Sequence, residues 1–126
     1  MKASSLLIAL ATVGHAVTYL VAAPPHVMDA SWPPHARFHV LQALLWALGF
    51  NVLVLVVVAR AYGRGERWSW WALATAWLFL HVAYFACLPA VPGGAPTNPH
   101  ADFVLGALLV VYALGLVLGR WRLSRL

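Results

Sequence analysis

Residues 33–61 read PPHARFHVLQALLWALGFNVLVLVVVARA. Between Arg37 and Arg60 no side chain carries a fixed charge. About 20 apolar helical residues cross the ~30 Å hydrocarbon core of a bilayer, and this run exceeds that length. It opens on Pro33 and Pro34, which suit a first helical turn because the missing N–H has no intrahelical partner there. A helix this long and apolar on every side has no comfortable place on a small soluble domain. The stretch predicts a transmembrane helix.

Three more runs repeat the pattern on either side, roughly over residues 4–23, 68–88 and 99–118. Together they predict an all-α fold, an integral membrane four-helix bundle forming one domain over residues 1–126. Composition agrees. Hydrophobic residues make up 63% and charged residues 9%, against roughly 45–50% and about 25% in ordinary soluble domains. Lys2 ahead of an apolar run has the outline of a signal peptide. Cleavage after Ala16 is conceivable, but cleavage after Ala23 would leave Pro24 at the new terminus, so we read a retained helix. Ala23-Pro24-Pro25 is expected to end the first helix. Tyr62 to Arg67 reads as a tight polar turn, and Thr97-Asn98-Pro99 as a helix cap followed by proline.

The basic residues give an orientation. Lys2, Arg60, Arg64, Arg67, Arg120, Arg122 and Arg125 fall on one side of the four runs, and only Arg37 falls on the other, with Asp29 and Asp102. The positive-inside rule makes the first side cytoplasmic. Both termini are then cytoplasmic, and loops 24–32 and 89–98 face outward, as expected for a bacterial inner membrane protein. The same placement explains the net charge of +5 without nucleic acid as a partner, because the cations mark helix ends and form no single patch. The single cysteine, Cys87, excludes an intrachain disulfide and reads as inert packing.

All six histidines, His15, His26, His35, His39, His81 and His100, lie in the outer half. At 1.5 Å per residue, His15, His39 and His81 sit about 12, 9 and 10 Å below the outer ends of three different helices. Each belongs to a polar or aromatic stripe at helical spacing. These are Thr12, His15 and Tyr19; His35, His39, Gln42 and Trp46; and Trp77, His81 and Tyr84. Polar groups avoid lipid, so the stripes are expected to converge on an outward-opening pocket. His15, His39, His81 and Gln42 would form its floor. His35, Tyr19, Tyr84, His100, Asp29, Asp102 and Arg37 would form its rim.

Three chemistries suit such a pocket. Three imidazoles at one depth suit zinc, copper or iron with an open coordination position. The spacing of His35 and His39 is itself a common ligand pair, and two of the histidines could hold a b-type haem. Alternatively, without metal, His35, His39, His81, Arg37 and Tyr84 could carry acid–base chemistry on a lipophilic substrate. The third possibility is structural, each histidine bonding a neighbouring helix. Elsewhere, Trp68, Trp70 and Trp71 read as an interfacial aromatic belt and Trp32 as an outer anchor. Asn51 lies half a turn around the helix from Gln42 and is expected to bond another helix. Arg37 is expected to pair with Asp29 or Asp102. Gly115 and Gly119 form a GxxxG that allows close helix approach.

The segment His26-Val-Met-Asp-Ala-Ser-Trp32-Pro33-Pro34-His35-Ala36-Arg37-Phe38-His39 resembles the signature, His then Trp-Pro-Pro/Gly-His-Ala-Arg/Lys-Phe-His, of a family of small four-helix membrane proteins in bacteria and fungi with no established activity. The Asn-rich stretch frequent upstream in that family is missing here. The resemblance implies that His26, Trp32, His35, Arg37 and His39 form one outer-face element, and it implies no reaction. The architecture is also similar to that of small helical-bundle sterol isomerases of the membrane. The expected function is a membrane enzyme acting on a lipophilic small molecule by metal-assisted or histidine acid–base chemistry. The alternative is a non-catalytic subunit of a larger membrane complex holding haem, pigment or metal. A homo-oligomer is compatible with either, and a transporter or channel comes third.

Overall fold

The computed structural model describes residues 2–87, 89 and 99–123. The described chain is helical. Helix one spans Lys2–Met28 and helix two Pro34–Arg60. Helix three runs over Arg67–Cys87 with a π-helical turn at Leu78–Val82, and helix four spans Pro99–Leu123. Each is long and apolar enough to cross a membrane. The cap expected at Thr97-Asn98 and most of loop 89–98 lie outside the described residues.

Helix one packs along both helix two and helix four, and helix three closes the bundle against helices two and four. Two glycines make the first contact possible. A Cβ on Gly115 would come within 2.6 Å of Ile8 Cγ1, and one on Gly119 would overlap the Tyr62 hydroxyl. The GxxxG therefore brings helix four against helix one, as small residues do where backbones approach closely. At the same end Ser4 Oγ donates to Gly115 O at 2.6 Å and meets Tyr62 Oη at 2.5 Å. Ile8, Val54, Val58, Tyr62, Leu73, Tyr112 and Leu116 belong to the core above this knot.

The radial distribution is inverted relative to a water-soluble protein. Ser4, Thr12, His15, Asn51, Ser69 and His81 are buried, while Val21, Leu45, Trp46, Phe79, Phe103 and Val117 are exposed. Every helix presents such an apolar outer face.

Helix one departs from expectation by continuing through Pro24 and Pro25 to Met28. Proline breaks a helix by removing a donor and crowding the preceding turn, but here it falls in the final turns. The end is held from outside as well. Arg37 donates from Nε to the Val27 carbonyl, one of the terminal carbonyls that a helix leaves without a partner. This contact replaces the expected ion pair. Asp29 instead accepts from the Ser31 hydroxyl at 2.7 Å and the Ser31 N–H at 2.9 Å, and these bonds, hydroxyl first, hold its carboxyl below the usual range.

At the opposite end a tight turn joins helices two and three. Gly65 takes φ 84°, a left-handed conformation that glycine adopts without steric cost. Glu66 accepts from Arg64 Nη2 at 2.6 Å and from Trp68 Nε1 at 2.6 Å. Arg64 and then Trp68 hold its carboxyl below the usual range.

Candidate functional site: a buried histidine pair

His15 sits midway along helix one, deeper than a helix ending at Ala23 would put it. Its Nε2 lies 2.9 Å from the Leu80 carbonyl of helix three, and its Nδ1 lies 3.1 Å from Asn51 Nδ2 of helix two. A carbonyl only accepts, so Nε2 carries the proton and Nδ1 is bare. The same Asn51 Nδ2 donates to Ala47 O at 2.7 Å on its own helix, which fixes the amide with its nitrogen toward His15. Both ring nitrogens of His15 are thus satisfied, and one tautomer of the neutral imidazole is specified. The Asn51 interhelical bond is the one expected from its place in helix two.

His81 stands against this ring edge-on, with centroids 5.0 Å apart. It lies within the π turn, whose widened ladder brings the Leu80 carbonyl to His15. His81 is 1% exposed, and neither ring nitrogen has a hydrogen-bond partner among the described residues. Tyr112 packs on its other side at 5.2 Å but donates its hydroxyl to Leu73 O at 3.2 Å. Tyr19 lies over His15 at 4.8 Å. Tyr84 donates to Asp102 Oδ1 at 2.7 Å. Tyr19, His15 and His81 thus stack within the bundle, and Tyr84 pairs with Asp102 at the first turn of helix four.

His39 does not join them. The structure brings His15 and His81 together and puts His35 and His39 on the exposed side of helix two. Among the described residues no group of three or more His, Cys, Asp or Glu side chains could hold a metal ion, so the expected His15–His39–His81 ligand set does not assemble. The reason lies in helix two. Gln42 and Asn51 are polar on opposite faces, and only one face can turn inward. The bundle takes Asn51 with Leu44, Val54 and Val58, leaving Gln42 half-buried and Trp46 69% exposed. Nor does His39 need burial. It is five residues into a helix of about 40 Å, close to the end at which that helix begins.

The outer element folds as a local unit. His26 packs on Trp32 at 5.0 Å, Arg37 binds the end of helix one, and His35 Nε2 meets His39 Nε2 at 3.0 Å. His100 is exposed in the first turn of helix four. Thr12, expected on the inward stripe, is buried but bonds its own helix at Ile8 O.

Two participants escaped sequence reasoning. Tyr112 has a readable signal, a hydroxyl in the middle of an otherwise apolar run. The Leu80 carbonyl has none. An open groove lies elsewhere, between helices three and four, lined by Trp70, Trp77, Leu116, Val117 and Arg120. Trp70 and Trp77 donate across it to the Leu116 and Leu109 carbonyls, so these tryptophans tie helices together beyond the interfacial part expected of Trp70. No protein-family model, curated protein or solved structure matches this chain.

Proposed function

We propose that this is an integral protein of a bacterial cytoplasmic membrane, with termini and the 60–67 turn on the cytoplasmic side, that performs histidine acid–base chemistry on a lipophilic small molecule. The inverted radial distribution supports the membrane setting, since apolar outer faces suit lipid and polar groups turn inward. The segregation of Arg60, Arg64, Arg67, Arg120 and Arg122 from Arg37 supports the orientation.

The observation that carries the chemistry is His81. A buried polar group without a hydrogen bond costs about 1–3 kcal/mol, and such groups within apolar bundles are typically retained for function. A neutral imidazole offers one donor and one acceptor. A hydroxyl or enolisable carbonyl group on a lipophilic molecule would satisfy one of them, and, because the two nitrogens point apart, a second polar group the other. His81 is the proton-transfer group in this reading. His15, its tautomer fixed by Asn51 and Leu80, presents a defined ring edge beside it, and Tyr84 with Asp102 supplies a hydroxyl on the outward approach. Exposed Leu78 and Phe79 flank His81 along the helix, so a substrate dissolved in the bilayer would enter laterally.

The test works on a mixture of lipids, with no single substrate chosen in advance. Protein in lipid nanodiscs is incubated in D2O with a total membrane lipid extract, and deuterium incorporation is read by mass spectrometry. One or a few species should gain deuterium with wild type and none with His81→Phe. Identical spectra for the two proteins sink the proposal.

A second reading has its own support. His15, with both nitrogens bonded to neighbouring helices, is what a bracing histidine looks like, and that suits an accessory subunit of a larger complex. Co-purification of a fixed set of other chains in mild detergent, together with no deuterium transfer, would favour it.

A further inference from the structure

We propose that His35 and His39 form a two-imidazole chelate for a borderline divalent transition metal ion, copper(II) above all, separate from the buried pair. The two side chains are one turn apart on the same face of helix two, both exposed, with Nε2 atoms 3.0 Å apart. Metal–nitrogen bonds of about 2.0 Å to both atoms across that gap subtend roughly 95°. That is the angle between neighbouring positions of a square-planar or tetragonal ion, the geometry of copper(II). Imidazole nitrogens favour copper over the other divalent first-row ions.

The support around the pair has the form a ligand histidine needs. His39 Nδ1 lies 3.3 Å from Gln42 Oε1. Donation to that oxygen puts the proton on Nδ1 and leaves the Nε2 lone pair directed at His35, as partners of ligating histidines do. His35 then donates from Nε2 to His39 in the metal-free protein. On binding metal it shifts this proton to its own Nδ1, so neutral rings release none. Pro33 and Pro34 begin the helix, which fixes the backbone positions from which the two rings extend. No third His, Cys, Asp or Glu among the described residues completes the set. Two or more positions on the ion therefore stay open for water or an external ligand. The positive end of the helix opposes a cation here, which tempers affinity without changing the geometry.

The experiment is a copper(II) titration followed by electron paramagnetic resonance on metal-stripped protein carrying no polyhistidine tag. Wild type should bind one ion per chain with superhyperfine coupling to two imidazole nitrogens. His35→Ala and His39→Ala should each abolish that signal, and Gln42→Leu should weaken binding about 10-fold, as loss of a ligand's orienting partner does. His81→Phe should bind like wild type, which separates this site from the buried pair. Circular dichroism checks that the variants fold, and substitution at two exposed positions leaves little reason for them not to. Unchanged copper spectra and affinity in both alanine variants, or no stoichiometric binding by wild type in excess metal, would overturn the chelate.

Discussion

Replacing His81 by phenylalanine should stabilise the protein, while the same change at His15, its ring neighbour, should destabilise it. His81 keeps two ring nitrogens without partners among the described residues, at 1% exposure. Removing unsatisfied buried polar groups recovers about 1–3 kcal/mol. The phenyl ring preserves the edge contact with His15 and the contact with Tyr112, and its extra bulk costs about 1 kcal/mol in a packed interior. The net expectation is a gain of up to about 2 kcal/mol. At His15 the ledger reverses. Phenylalanine there leaves the Leu80 carbonyl and one Asn51 N–H without partners, at a cost of about 2–4 kcal/mol. Reversible unfolding in mixed detergent micelles, followed by circular dichroism, reads both differences. A loss of more than about 1 kcal/mol for His81→Phe would show that its nitrogens are engaged, and the functional reading built on them would go with it.

Other outcomes follow from the packing and the turns. Gly119→Val should cost about 1–3 kcal/mol in the same unfolding assay, since Tyr62 is held by Ser4 and cannot give way. Gly49→Ala, with open space around its Cβ position, should gain about 0.5–1 kcal/mol as a mid-helix glycine replaced. Glu66 should titrate below the ordinary glutamate value in a carboxyl carbon-13 experiment, because Arg64 and Trp68 bond its ionised form. Its folded value is depressed, so its contribution to the turn is present above the ordinary value and is lost as pH falls through the lowered one. In a Cys87→Ser background, Gly63→Cys should react with a membrane-impermeant maleimide only in inverted vesicles and Ala30→Cys only in intact spheroplasts. The reverse pattern would invert the proposed orientation.

The four helices could be read from the sequence because length and apolarity are local properties, and the same holds for the partner-seeking Asn51. What resisted reading was rotation. A helix of apolar residues with Gln42 on one face and Asn51 on the other offers no moment to say which turns inward, and His39 went out with Gln42. The end of helix one is hard to read because a proline's cost depends on where the helix would otherwise stop, and on a bond from Arg37, ten residues further along the chain. The contact between His15 and His81 came within reach because both depths were counted along their own helices. The bond between His15 and the Leu80 carbonyl did not, since every residue has a carbonyl and only the distorted backbone singles this one out.

That distortion also bears on how such a site varies. A π turn holds one residue more than regular helix does. Deleting a residue such as Val82 would let the ladder close into continuous α-helix and leave everything beyond it nearly in phase, since the widened turn uses one residue more to make about the same rotation. Tyr84 would keep Asp102, while the Leu80 carbonyl would return to its own helix and leave His15. The fixed tautomer of His15 thus rests on a single residue. A chain that lost that residue would keep its fold and present His15 with one ring nitrogen unbonded to whatever enters.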